Sequence, residues 1–336
     1  SWLYFFVFKC LTKIWKCLAQ ESLKRQKKIT LALVKIILFY IRNYLLHSDK
    51  KIFLGSSIFC ALLIFLNYHF QLHQWIGKNS FLPVKLLAWA LVFTVAFGIP
   101  VWLQRQIRRP ASPLPGSFYG LFLCAVILFA LKYTLRFHFT FSADLSINQY
   151  WNKTVHWPAL FVIVAGALFV LRHVFIQEET AWGTRKLLPD WRPYLLMLLI
   201  MVPLISLAAT QPDFQAVYPK LNMVVSNGSL YDIPAWKALL FELSYGSDFL
   251  TIELFFRGFL ILGFSQWLGK DAILPVAIFY CSIHFGKPLG ECISSYFGGI
   301  LLGIVVYNTR SIWGGLVVHL GIAWMMELVG AVVSRL

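Results

Sequence analysis

Long apolar runs, separated by short polar or basic segments, make up most of this chain. Seven runs are clear, at about 52–71, 81–103, 117–136, 158–177, 193–209, 292–308 and 312–333. A helix needs about 20 mostly apolar residues to cross the hydrocarbon layer of a membrane, and most of these runs approach that length. With one further span around residue 253, the pattern predicts an all-α, polytopic transmembrane helical bundle of about eight spans.

The first 50 residues follow a different pattern. Lys9, Lys13 and Lys16 stand near helical spacing among large apolar residues, which predicts an amphipathic helix at the membrane surface or a weak first span. Residues 29–46 are apolar apart from two basic residues, whose long side chains permit either a span or a helix lying flat. We therefore treat 1–50 as an N-terminal amphipathic and basic region.

Polar stretches between the runs predict the loops and the division of the remaining chain. Residues 137–157 are predicted to form a loop before the run at 158–177, and 210–234, which contain several prolines, a second loop. The candidate chemistry, described below, lies after the second loop. The sequence therefore predicts N-terminal membrane helices at 51–234 and a C-terminal set of helices at 235–336 that carries the candidate chemistry.

Composition supports a membrane protein and excludes other classes. Of the 336 residues, 59% are hydrophobic and only 13% are charged. With a mean hydropathy of +0.70, the chain has more apolar surface than a water-soluble domain can bury. The net charge of +16 comes from basic residues clustered at span ends, as the positive-inside rule describes. We therefore expect contact with membrane lipids, no nucleic-acid partner, and a multi-pass location in a bacterial inner (plasma) membrane.

A few ionisable residues inside the later apolar runs are the candidates for chemistry. Glu253 and Arg257 are four residues apart, which places both on one face of a helix. Alone, they fit a structural ion pair as well as a functional one, but His284 and His319 also lie in apolar runs and favour a common site. A glutamate and a histidine around one water form a general base, and two histidines with a glutamate also bind zinc.

Three further acidic residues are weaker candidates. Asp248 and Glu291 are predicted at the starts of helices, where a carboxylate is favoured by the helix dipole. A Gly/Pro turn at 286–290 would allow Glu291 to fold back beside His284. Glu327 lies two turns after His319 and is more simply explained as a packing or interfacial group.

These residues carry a resemblance to a known family. The segments concerned are Glu253-x-x-x-Arg257-Gly258, Tyr280-x-x-x-His284, and His319 at the end of Gly314-Gly315-Leu316-Val317-Val318-His319. In order and spacing they resemble the motifs of the CPBP family, which comprises CAAX prenyl proteases and bacteriocin-processing or self-immunity proteins, also called Abi proteins. The resemblance covers roughly 235–335 and implies an intramembrane endopeptidase, a hydrolase that cleaves a peptide bond within the membrane.

The resemblance also implies roles for individual residues. Glu253 and His284 would activate a water, with Glu291 assisting, and Arg257 would orient Glu253. His319 would polarise the scissile carbonyl or share a metal, so that Glu253, His284 and His319 would form the ligand set of a divalent ion such as zinc. The implied substrate is a peptide that enters from the membrane, either prenylated or a leader peptide.

The chain also departs from the family pattern at three positions. Ile252 replaces the first glutamate of a Glu-Glu pair, Tyr280 replaces a phenylalanine, and Ala323 replaces an asparagine or aspartate. The losses at 252 and 323 support an alternative, a catalytically impaired CPBP-like membrane scaffold or immunity protein. A transporter with a buried ion pair is a third hypothesis, which the lack of an inverted repeat makes weaker.

Overall fold

The computed structural model describes residues 35–79, 81–175, 182–184, 191–224 and 234–334. The predicted amphipathic helix near the N-terminus lies outside these residues. Throughout the described part the chain is helical and contains no strand, which confirms the all-α prediction.

The helices are numbered in chain order. They are α1 (helical residues 35–47), α2 (Lys50–Phe70), α3 (Leu72–Lys78), α4 (Leu82–Arg108), α5 (Gly116–Thr134), α6 (Leu145–Phe175), α7 (Arg192–Ala208), α8 (Pro212–Gln215), α9 (Ala235–Ile252), α10 (Leu262–Leu268), α11 (Ile273–Ser282), α12 (Leu289–Thr309) and α13 (Trp313–Val333). A π-helical segment, Glu253–Ile261, joins α9 to α10, and 3₁₀ turns lie at Lys220–Val224 and Gly269–Ala272.

Membrane-spanning length and composition are found in six of the described helices, namely α2, α4, α5, α6, α12 and α13. Helix α7 is a shorter apolar helix. Many large apolar side chains on these helices, such as Leu87 and Leu91 on α4, are exposed at the surface of the bundle, where lipid would cover them. The protein is an integral, multi-pass membrane protein, as the sequence predicts.

Aromatic packing at the centre of the bundle fixes the segment that carries Glu253. Phe129 of α5 lies with its ring centroid 4.6 Å from that of Phe255 and 5.0 Å from that of Phe256. Phe93 of α4 and Phe279 of α11 complete the cluster, with 4.8 Å between their centroids. All five rings are at most 1% exposed. Because interiors are close-packed, the backbone on either side of Glu253 has little freedom to move.

Two loop predictions need correction. Residues 145–157, predicted as part of a loop, form the first turns of α6, which begins at Leu145 after Asp144 accepts a hydrogen bond from the backbone N–H of Ser146. The polar side chains of this segment form hydrogen bonds outside the helix and leave its backbone bonds intact. Asn152 and Asn148 accept from backbone N–H groups of the preceding loop, and the hydroxyl of Tyr150 donates to the backbone carbonyl of Lys237 on α9. The predicted loop 210–234 likewise contains a short helix and a 3₁₀ turn.

The placement of Asp248 also differs from its prediction. It lies inside α9 and not at a helix start, because α9 runs without a break into the π-helical segment. Its partly exposed carboxylate is 2.7 Å from Nζ of Lys132 on α5, so that an ion pair compensates the buried charge of this lysine.

Candidate active site

The main polar group of the site lies where the helical geometry changes. Glu253 is the first residue of the π-helical segment, which continues to Ile261 and has Arg257 at its centre. π-Helical turns are rare and occur frequently at functional sites, where they reposition side chains within an otherwise regular helix. The sequence predicts a helix here, but not this change of geometry.

Glu253 and Arg257 form the predicted ion pair. Oε1 of Glu253 is 3.2 Å from a terminal nitrogen of Arg257, and the two side chains are 0% and 1% exposed. Within the described part of the protein, Oε2 of Glu253 and both terminal nitrogens of Arg257 have no hydrogen-bond partner. A buried pair with unused donors and an unused acceptor can bind a water or a polar substrate group.

His319 of α13 lies on the other side of the Glu253 carboxylate. Its Nδ1 is 3.0 Å from Oε1 of Glu253, and its Nε2 is 2.9 Å from the hydroxyl of Tyr280 on α11. A carboxylate only accepts hydrogen bonds, so Nδ1–H donates to Glu253, and in a neutral imidazole Nε2 accepts from Tyr280. Glu253, His319 and Tyr280 therefore form a continuous hydrogen-bonded chain across three helices.

A glycine on α13 makes room for the carboxylate. A Cβ atom on Gly315 would lie 2.5 Å from Oε2 of Glu253, much closer than two non-bonded atoms can approach. Gly315 is one turn before His319 on the same face of the helix. Gly315 allows α13 to approach Glu253 closely, and His319 then binds the carboxylate.

His284 lies next to this chain on the turn after α11. Its Nδ1 donates to the backbone carbonyl of Tyr280, 2.9 Å away, so Nε2 carries the lone pair and is the basic nitrogen of the neutral ring. The ring centroids of His284 and Tyr280 are 4.7 Å apart. The guanidinium of Arg257 lies over the ring of Tyr280, with its Cζ 4.2 Å from the ring centroid. Tyr280 is thus in contact with both histidines and with Arg257.

Glu291 belongs to a neighbouring polar cluster. It forms an ion pair with Lys287 at 3.0 Å, and both of its oxygens are 3.1 Å from the hydroxyl of Tyr218. The backbone N–H of Lys287 donates to the carbonyl of His284 at 3.0 Å, which connects this cluster to the turn that carries His284. The turn between His284 and α12 contains Gly286, whose φ of +93° favours glycine. Direct assistance to His284 stays a prediction.

Glu327 lies in the same part of the molecule as Glu291. Its Oε2 accepts from the backbone N–H of Lys220 at 2.8 Å, which ties α13 to the 3₁₀ turn. Burial lowers the pKa of Lys220, and its Nζ lies 4.9 Å from the centre of the Tyr218 ring. The interpretation of Glu327 as a packing group fits these contacts.

The predicted ligand set for a metal does not fit a zinc site in this arrangement. Among the described residues no group of three His, Cys, Asp or Glu side chains is placed to hold a metal ion. Both nitrogens of His319 are engaged by Glu253 and Tyr280, and Nδ1 of His284 by a backbone carbonyl. The cation of Arg257 also lies beside the oxygen that would bind the ion. We derive no step that uses a metal, and the metal stays a prediction.

Two residues that matter to the site were given no role in the sequence-based predictions. Tyr280 is visible in the sequence only as a departure from the family motif, and the hydrogen-bonding capacity of its hydroxyl was the signal. Gly315 stands in the segment quoted around His319, but only the three-dimensional contact with Glu253 reveals its function.

The fold and site together define a class: a multi-pass helical membrane protein with a buried glutamate, arginine and histidine cluster inside the bundle. Residues 234–325 match the family model described as "Type II CAAX prenyl endopeptidase Rce1-like", which covers roughly a quarter of the chain. This match supports the resemblance to the CPBP/CAAX protease family that the motifs of this segment predict. Searches of curated proteins and of solved structures found no match.

Proposed function

We propose that this protein is an intramembrane endopeptidase of the CAAX-protease type, in which Glu253 and His284 activate a water. The observation that carries the proposal is the buried Oε2 of Glu253, which has no hydrogen-bond partner among the described residues, while Oε1 of the same carboxylate contacts Arg257 and His319. A buried acceptor without a partner is rare unless a water or substrate group binds there.

In the proposed reaction, the water oxygen bonds to the carbonyl carbon of the scissile peptide bond. The water gives one proton to Oε2 of Glu253, and the π electron pair of the carbonyl moves to its oxygen. When the tetrahedral intermediate collapses, the C–N bond breaks and Glu253 returns the proton to the leaving amine. Nε2 of His284 accepts the second hydrogen bond of the water and so orients its attack.

Arg257 and His319 would keep the base in position. The guanidinium balances the charge of Glu253 from one side, and Nδ1–H of His319 holds Oε1 from the other, which leaves Oε2 free. Nη2 of Arg257 lies outside the ion pair and has no hydrogen-bond partner among the described residues, so it can donate to the negative carbonyl oxygen at a site where buried donors act strongly. Carbonyl polarisation by His319 itself stays a prediction.

The substrate class follows from the family and from the surroundings of the site. A protease family implies a peptide substrate, and exposed apolar faces on the helices indicate that the surrounding medium is lipid. We propose a peptide that reaches the site from the membrane, such as a prenylated or leader peptide.

The test is cleavage by the full-length protein in proteoliposomes, with a panel of fluorescent prenylated and unprenylated peptides as probes. Glu253→Ala and His284→Ala should each abolish cleavage while the protein remains folded, judged by thermal unfolding. His47→Ala is the matched control, because Nδ1 of His47 also donates to a backbone carbonyl at 2.9 Å but lies far along the chain on α1. Its activity should equal that of the wild type.

Two results would overturn the proposal. Full activity in either the Glu253 or the His284 variant would remove the base assigned here. Absence of cleavage by the wild-type protein across the panel, together with a cellular effect that survives both substitutions, would instead support the catalytically impaired scaffold that Ile252 and Ala323 suggest.

A further inference from the structure

We infer that Tyr280 is a positioning residue, whose hydroxyl holds Nε2 of His319 and thereby fixes the tautomer and orientation of the ring that binds Glu253. This inference rests on the proposed function for its catalytic consequence. Its structural content, a hydrogen bond from Tyr280 to His319, can be tested without any activity.

The contact geometry supports a specific bond. The hydroxyl oxygen of Tyr280 is 2.9 Å from Nε2 of His319, a normal hydrogen-bond distance, and Tyr280 is 5% exposed. Water has little access to a hydroxyl at this depth. The loss of such a bond would leave one ring nitrogen of His319 without its partner, which is unfavourable for a buried polar atom.

The second nitrogen of His319 has no alternative polar partner on its own helix face. One turn further along α13 the residue is Ala323, whose methyl group forms no hydrogen bond. Phe249 packs edge-on against the imidazole, with 4.8 Å between ring centroids, and is also apolar. The polar contact to Nε2 therefore comes from a different helix, α11, through Tyr280.

The proton arrangement follows from these contacts. Glu253 accepts from Nδ1–H, so the neutral ring carries its proton on Nδ1 and presents its lone pair at Nε2 to the hydroxyl of Tyr280. Without that hydroxyl the ring can rotate or take its proton on Nε2, and Oε1 of Glu253 then loses its donor. Hydrogen bonds to the second ring nitrogen commonly fix which nitrogen of a functional histidine is protonated.

The test uses Tyr280→Phe, which removes the hydroxyl and keeps the ring against Arg257 and both histidines. Tyr296→Phe is the matched control, because Tyr296 is also 5% exposed and its hydroxyl binds Ser57 at 2.9 Å, outside the site. Imidazole ¹⁵N NMR of ¹⁵N-histidine-labelled protein is recorded for each variant, with His319→Gln used to assign the signals. Thermal unfolding checks that each variant is folded.

In the wild type, the assigned Nε2 signal should be that of an unprotonated nitrogen that accepts a hydrogen bond. Tyr280→Phe should move this signal, and Tyr296→Phe should leave it in place. In the cleavage assay Tyr280→Phe should lower kcat by about tenfold, the equivalent of one hydrogen bond, with KM unchanged.

Unchanged His319 signals in a folded Tyr280→Phe variant would overturn the inference. So would a wild-type kcat in that variant. If the wild-type protein cleaves no peptide, the proposed function fails, but the NMR comparison still decides whether Tyr280 positions His319.

Discussion

Two ion pairs in this protein have the same spacing along the chain but different surroundings. Glu253 and Arg257 are four residues apart in the π-helical segment, and Lys287 and Glu291 are four residues apart at the start of α12. In the first pair both side chains are at most 1% exposed, whereas in the second Lys287 is 29% and Glu291 is 16% exposed.

The pairs differ more in how their hydrogen-bonding capacity is used. Lys287 donates to Glu291 and to the hydroxyl of Tyr218, which in turn donates to Glu291, so that the three groups satisfy one another. In the described structure the Glu253–Arg257 pair leaves Oε2 of the carboxylate and Nη2 of the guanidinium without a hydrogen-bond partner and outside the ion pair. A satisfied cluster stabilises a fold, whereas an unsatisfied buried pair is available for substrate and water.

The largest expected effect is on stability, from the removal of one cation. Arg257→Met leaves the buried carboxylate of Glu253 without its counter-charge and should lower the free energy of unfolding by about 3–5 kcal/mol. Lys287→Met removes the partner of a less deeply buried carboxylate that keeps its hydrogen bond from Tyr218, so a smaller loss of about 1–2 kcal/mol is expected. Thermal and denaturant unfolding in detergent would measure both.

A double variant sharpens this comparison. Glu253→Gln combined with Arg257→Met removes both charges and should recover most of the lost stability, because no unpaired charge remains. Equal losses for Arg257→Met and Lys287→Met would show that burial does not distinguish the two pairs.

The sequence predicts the first pair better than its surroundings. Spacing alone places Glu253 and Arg257 on one face of the helix. The position of His319 in an apolar run predicts that it contacts them, because ionisable groups inside a membrane bundle pair with one another. The contact of His319 with Tyr280 depends on how α11 packs against α13. No local pattern encodes that packing.

The same limit explains the errors in the fold. Membrane helices are visible as apolar runs, but residues 145–157 were predicted as a loop because their polarity hides a helix. The polar side chains of this segment form hydrogen bonds with the backbone of the preceding loop and of α9. These bonds depend on the tertiary structure and are not visible in the local sequence. For the second pair, the sequence predicts only that Glu291 folds towards His284. It does not predict the contact of Glu291 with Tyr218, because Tyr218 lies 73 residues earlier in the chain.

The next effect tests whether Oε2 of Glu253 needs the space that it has. Gly315→Ala places a methyl group within 2.5 Å of this oxygen and should displace the carboxylate. A displacement of about 1 Å from reactive geometry costs on the order of 10²-fold in kcat. Gly298→Ala is the control, because a Cβ there has no neighbour within 4 Å. Wild-type kcat in Gly315→Ala would show that the carboxylate does not react from this position.

The smallest effect concerns the second pair and the glutamate of the family motif that this chain replaces with Ile252. Glu291→Gln disrupts the contacts with Lys287 and Tyr218 beside His284, and a loss of about tenfold in kcat is expected, equivalent to one hydrogen bond. Parallel measurement of Glu253→Gln gives the reference for loss of the base, about 10²–10⁴-fold. An equal loss of kcat in Glu291→Gln and Glu253→Gln would show that the second pair also takes part in the reaction and is not only structural. Glu291 would instead supply the second carboxylate that Ile252 cannot provide, and the proton acceptor would be shared between α12 and the π-helical segment.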